Sequence, residues 1–94
     1  MKSTEKLTLI EGVFSAEETK EILTNMFSSK INFHHIKNWS SRERFGKDDE
    51  ISKKRIPELQ NDLQKLQEIL LNAKHSNQKL VINSEVNISL SNEF

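Results

Sequence analysis

The chain has 94 residues, of which 34% are hydrophobic and 30% charged, and its 14 basic and 14 acidic side chains leave no net charge. This length suits one small domain over residues 1–94, whose core has little margin because small chains bury a smaller fraction of their surface. The lack of cysteine excludes a disulfide framework and thiol chemistry, and we find neither a signal-peptide core nor the run of about 20 apolar residues that spans a bilayer. We therefore expect a cytoplasmic protein without membrane contact.

The first predicted element is a short N-terminal strand over residues 7–10, which can extend to Phe14. Apolar and β-branched side chains follow one another in this stretch, a composition that favours strands. Gly12 is expected to end the strand or to form a bulge in it.

A capping box predicts a helix from about residue 16. Ser15 can accept a hydrogen bond from an early helix amide, while Glu18 can bond back to the Ser15 amide. Glu17 and Glu18 also suit the positive end of the helix dipole. An apolar stripe for this helix is formed by Ile22, Leu23, Met26 and Phe27. If the helix runs on, the stripe continues either through Ile31 or through Phe33 and Ile36.

A second capping-box pattern, from Ser40 to Glu43, predicts that a new short helix begins after Trp39. Gly46 lies where a left-handed glycine would end that helix. Residues 47–50 are polar and predict a connection to the next element.

The most regular pattern is a heptad-like apolar repeat with spacings that alternate between three and four residues. It predicts a regular helix over residues 57–75 that begins near Pro57, since proline is well tolerated in a first turn, with residues 50–55 as a looser lead-in. This helix and the preceding one are expected to form a helical hairpin. The heptad face is either a dimer seam or the core face of a monomeric hairpin, and its central residues are Leu59, Leu63, Leu66 and Leu70.

The end of the chain alternates between apolar and polar residues, which predicts a long C-terminal strand or a hairpin over residues 79–90. The hairpin alternative would turn near Asn83 and Ser84. The fold class is therefore α+β. A sheet of only two strands is marginal in water, and an exposed long strand pairs readily with another chain. We expect dimerisation to complete the sheet.

The centre of the chain is a basic segment over residues 30–55, with eight basic and four acidic side chains and a net charge of +4. Residues 1–29 and residues 56–94 each carry −2. Cations interleaved with aromatic rings are typical of proteins that contact single-stranded nucleic acid. The candidate interaction surface in this segment consists of Trp39, Arg42, Arg44, Phe45 and Lys47.

Three consecutive cations, Lys53, Lys54 and Arg55, are expected to meet Glu17 and Glu18 in a neighbouring helix or chain. No catalytic, cofactor-binding or metal-binding residue is predicted. The adjacent histidines at positions 34 and 35 would point about 100° apart on a helix, and the sequence holds no glycine-rich phosphate loop and no HExxH motif.

Two functional hypotheses follow from the sequence. The leading one is a small non-catalytic homo-oligomeric interaction or structural module, most simply a homodimer. The alternative is a regulator that contacts nucleic acid through the basic segment over residues 30–55.

Overall fold

A computed structural model describes residues 4–91 of the chain. The elements follow in the order β1 (Thr4–Phe14), α1 (Ala16–Phe45), α2 (Glu50–Ser76) and β2 (Leu80–Ser89). The predicted α+β class is confirmed, with two strands that flank a helical hairpin. β2 is one continuous strand, so the alternative of a turn near residue 83 is wrong.

The capping box at the start of α1 is confirmed. The Ser15 hydroxyl accepts the Glu18 amide at 3.1 Å, and the Ser15 amide donates to the Glu18 carboxylate at 2.9 Å. The predicted break after Trp39 is wrong, because α1 runs without interruption to Phe45 and ends at Gly46 with φ 70°. No glycine or proline forces a break there, and Ser40, the predicted cap, lies inside the helix.

α2 begins at Glu50. The predicted lead-in over residues 50–55 is therefore part of the regular helix, and the predicted start of that helix near Pro57 is wrong. Asp49 caps the helix and accepts the Ser52 amide at 3.0 Å. Pro57 therefore lies inside the helix, where it cannot donate to the Lys53 carbonyl. The helix ends close to the predicted position, at Asn77, which adopts the left-handed conformation with φ 54°.

β1 and β2 pair antiparallel and form a two-stranded ribbon. The register shifts between Thr8 and Ile10, so the bulge lies there and the predicted bulge or strand end at Gly12 is wrong. Gly12 pairs with Ile82 inside the ladder, with φ 151°. An added Cβ at this glycine would lie 3.4 Å from the Phe14 ring, a contact that the packing can accommodate, so it is the backbone conformation that requires glycine.

One face of the ribbon is apolar. The register and the alternation of β2 place on this face Ile10, Leu7, Phe14, Leu80, Ile82, Val86 and Ile88. Close to the helices this face is covered, and Ile10 is only 9% exposed. At the outer end of the ribbon Leu7 is 51% exposed and Ile88 50% exposed. Within residues 4–91, the outer part of the apolar face therefore has no covering layer.

The molecule is thin and extended. Its radius of gyration is 16.9 Å, whereas a compact domain of this length has about 12 Å. The ribbon and the hairpin placed end to end would span about 80 Å, yet the dimensions are 50 × 37 × 15 Å, so the ribbon runs across the hairpin axis. Among the described residues the buried apolar side chains are Ile10, Leu59, Leu66, Leu70 and Ala73.

No helix within residues 4–91 combines the length and the apolar character needed to cross a membrane.

Candidate functional site

The heptad face of α2 lies in the interior of the hairpin. Leu59, Leu66 and Leu70 are buried within one chain, and Leu63 is half-buried. Within a single chain, the repeat therefore forms the core face of the helical hairpin, which is one of its two predicted interpretations. The dimer seam at these leucines stays a prediction.

The hairpin tip, defined here as residues 38–53, is held by side-chain hydrogen bonds. The Asn38 carbonyl oxygen accepts the Asp49 amide at 2.7 Å, and its amide group donates to Asp48 at 3.4 Å. The Ser41 hydroxyl donates to the Lys47 carbonyl at 2.9 Å. These bonds satisfy the polar groups of the connection and fix the two helices relative to each other.

The deepest polar contact of the tip joins the two helices. The Ser52 hydroxyl lies 3.0 Å from Nδ1 of His34 and has no exposed surface. Together with Asp49 these residues have the composition of a hydrolase triad. However, the carboxylate bonds to the Ser52 amide and not to the imidazole, and a nucleophile must be reachable by its substrate. The arrangement orients the helices and does not suit nucleophilic catalysis.

Two carboxylates that cap the helices have shifted pKa values. The hydroxyl and the amide of Ser52 hold the pKa of Asp49 below its ordinary value, and the charges of Lys37 and His34 act in the same direction. The amide and the hydroxyl of Ser15 lower the pKa of Glu18 in the same way. Both carboxylates are therefore more acidic than free side chains because they accept hydrogen bonds in the ionised form.

Cations at the tip converge on Asp48. Arg42 approaches one of its carboxylate oxygens at 3.4 Å, and Lys53 approaches the other at 3.5 Å. A third cation, Arg55, bonds to Glu58 at 2.6 Å on the same helix. These pairs are exposed and contribute little to stability, but they occupy three of the eight cations of the basic segment.

The predicted interaction surface is divided between two sides of α1. Trp39 and Arg42, three residues apart, lie on neighbouring positions of the helix. Arg44 is rotated about 140° from Trp39, on the other side. There it lines a shallow recess of about 240 Å³. Phe45 lines the same recess, while Lys47 is an exposed residue of the connection whose carbonyl holds Ser41.

The apolar stripe of α1 continues towards the tip through Phe33 and Ile36, which is one of the two continuations predicted from the sequence. Its spacings of 4, 7 and 3 residues bring to one side of the helix Ile22, Met26, Phe33 and Ile36. This side of α1 is rotated by about 100° from the side that faces α2, where His34 contacts Ser52 of α2. The stripe is half-buried towards the ribbon and exposed towards the tip, where Phe33 is 54% exposed.

Phe33 is surrounded by cations. The ammonium groups of Lys30 and Lys37 lie 5.9 Å and 6.0 Å from the centre of its ring. The His34 ring meets it edge-on at 5.2 Å. We call Lys30, Phe33, Ile36 and Lys37 the Phe33 patch. It is an exposed apolar surface with a positive border.

Glu17 and Lys53 lie at opposite ends of the antiparallel hairpin. Glu17 lines a groove of about 340 Å³ beside Lys74 near the ribbon, whereas Lys53 bonds to Asp48 at the tip. The predicted contact between the acidic first turn and residues 53–55 is therefore wrong for a neighbouring helix of the same chain. A contact between two chains stays a prediction.

Within the described part of the chain no three histidine, aspartate or glutamate side chains are placed to hold a metal ion.

The chain matches no protein-family model, no curated protein and no solved structure.

Proposed function

We propose that the protein is a small non-catalytic module that acts by assembling with copies of itself, most simply as a homodimer. The observation that carries this proposal is the amount of apolar surface left uncovered in one chain. In the described part, fourteen large apolar side chains are exposed, while five apolar side chains are buried. Contiguous exposed apolar surface marks sites of association.

The ribbon supports the same proposal. Two strands alone make a marginal sheet, and this one leaves the outer half of its apolar face uncovered. Burial of that surface against a second copy would remove Leu7 and Ile88 from water. Each Å² of apolar area buried in this way would stabilise the assembly by about 25 cal/mol.

The alternative, a regulator that contacts nucleic acid, is supported by the Phe33 patch, where an exposed ring lies between two lysines. It is favoured less, because Arg42, Lys53 and Arg55 of the basic segment are engaged with carboxylates of the same chain. Salt-dependent retention on heparin would favour this alternative over self-association.

Light scattering coupled to size exclusion tests the proposal. We expect a mass of twice the 11.0 kDa chain at micromolar concentrations, falling towards the monomer on dilution. A monodisperse 11.0 kDa species over the whole concentration range would contradict it.

We also propose that the protein works in the cytoplasm, since small secreted domains of this size are commonly held by disulfides and this chain has no cysteine. Cell fractionation tests this, and recovery from the secreted fraction would contradict it.

A further inference from the structure

The hairpin separates charge along its length. Residues 30–55 form the distal half of α1, the tip and the first turns of α2, so their net charge of +4 is gathered at one end of the molecule. The segments on either side of them carry −2 each. The first contains β1 and the start of α1, and the second contains most of α2 together with β2. The two ends are tens of ångströms apart along α1, well beyond the screening length of about 8 Å at physiological salt. Arg55 is paired with Glu58 on α2, but the other cations of the basic end lie too far from the carboxylates of β1 and the start of α1 to be neutralised by them within one chain.

Each end also carries an exposed apolar patch with a border of its own charge. At the positive end this is the Phe33 patch. At the other end it is the outer patch of the ribbon, which comprises Glu5, Leu7, Val86 and Ile88. The register places Glu5 opposite Ile88, so its carboxylate borders the apolar face on the same side of the ribbon. One patch is apolar with an acidic border, and the other is apolar with a basic border.

The dimensions suit a pairing of these two patches between copies. A ribbon of eleven residues is about 37 Å long, whereas a two-helix layer is about 20 Å wide. Because the ribbon runs across the hairpin axis, its outer part extends past the helices of its own chain. A second hairpin laid beside the first in the opposite direction would place the distal half of its α1, which carries the Phe33 patch, under that outer part.

We infer that a second copy docks antiparallel, with the outer patch of each ribbon on the Phe33 patch of the other copy. This inference rests on the proposed self-association and names the surfaces that carry it. Two identical contacts form around a two-fold axis, so the assembly closes as a dimer. The carboxylate of Glu5 then faces the cations that flank Phe33, at Lys30 and Lys37 of the partner. A parallel arrangement would instead set the two basic tips against each other.

The test uses two variants, Phe33→Asp and Ile88→Asp, which alter side chains that are exposed in one chain. Each places a charge in one patch, and each is expected to raise the dimer Kd by roughly tenfold or more. The matched controls are Ile51→Asp on α2 and Val81→Asp on the opposite face of β2, both at exposed positions away from the patches. We expect the controls to change the Kd by no more than about twofold. Circular dichroism verifies that every variant is folded.

Mixing the two variants is the decisive measurement. A mixed dimer of Phe33→Asp and Ile88→Asp has one contact with both substitutions and one contact with neither. We therefore expect the mixture to form heterodimers under conditions where each variant alone is monomeric, as measured by native mass spectrometry. Heterodimers that fail to form, or substitutions that leave the Kd unchanged, would overturn the inference. A wild-type chain that forms dimers by another surface leaves the proposed function intact, whereas a monomeric wild-type chain removes both.

Discussion

At the scale of single residues, Asn38 connects the two halves of the tip. Its side chain accepts the Asp49 amide at 2.7 Å and donates to Asp48 at 3.4 Å, so one residue serves both the cap of α2 and the carboxylate that receives two cations. Its role could not be read from the sequence, because the partners are ten and eleven positions away.

We expect Asn38→Ala to destabilise the fold by about 1–2 kcal/mol, since the half-buried Asp49 amide would lose its acceptor. Urea unfolding at a fixed protein concentration measures the change. Asn32→Ala, at an exposed position of the same helix, is the control. Equal midpoints for the two variants would show that the tip bonds contribute nothing.

The capping carboxylates predict how the stability of the fold depends on pH. The pKa values of Asp49 and Glu18 are lower in the folded chain, so their contribution is present above the ordinary carboxyl pKa of about 4 and is lost as the pH falls through the folded values. The thermal midpoint should therefore fall on acidification below that range. Asp49→Asn keeps a capping side chain but removes the titration, and its midpoint should fall less steeply. Parallel curves for the variant and the wild type would contradict this assignment.

At the scale of elements, local signals predicted the helix that begins at Ala16, the glycine that ends α1 and the alternation of β2. The start of the regular part of α2 was predicted wrongly because Pro57 is a strong local signal, which outweighed the local N-cap residue Asp49. The buried contact that also favours a helix from Glu50 is non-local. Ser52 is buried against His34, which lies 18 positions earlier in the sequence. The hydrogen bond between these residues favours a helix that the proline alone would oppose.

Pro57 is consequently a weak point of α2. It lies inside the helix without an amide to donate, and proline costs up to about 3 kcal/mol relative to alanine in a helix interior. We expect Pro57→Ala to stabilise the fold by about 1–3 kcal/mol. Thermal unfolding at matched concentration measures this, with Gln60→Ala at an exposed position of α2 as the control. A lower midpoint for Pro57→Ala would show that the ring makes contacts that outweigh the missing bond.

At the scale of the whole molecule, the exposed apolar patches and the separated charges have a common consequence. The sequence predicted a thin core and a basic centre, but it could not show that the basic residues gather at one end of the hairpin and the ribbon at the other. That placement follows from the antiparallel packing of α1 on α2, which depends on contacts such as the one between His34 and Ser52. The tip thereby becomes complementary in charge to the opposite end of a second copy.

Charge complementarity between the ends predicts that salt weakens the dimer. Raising the ionic strength shortens the screening length from about 30 Å at 0.01 M to about 3 Å at 1 M. The electrostatic attraction between the Phe33 patch of one copy and the outer patch of the other ribbon should therefore weaken. We expect the dimer Kd to rise with sodium chloride, measured by light scattering across a dilution series. Lys37→Glu should raise the Kd at low salt and flatten its salt dependence, and adding Glu5→Lys in the same chain should recover the low-salt affinity. Because purely apolar association does not weaken with added salt, a Kd that stays constant or falls would show that the charged borders do not contribute to docking.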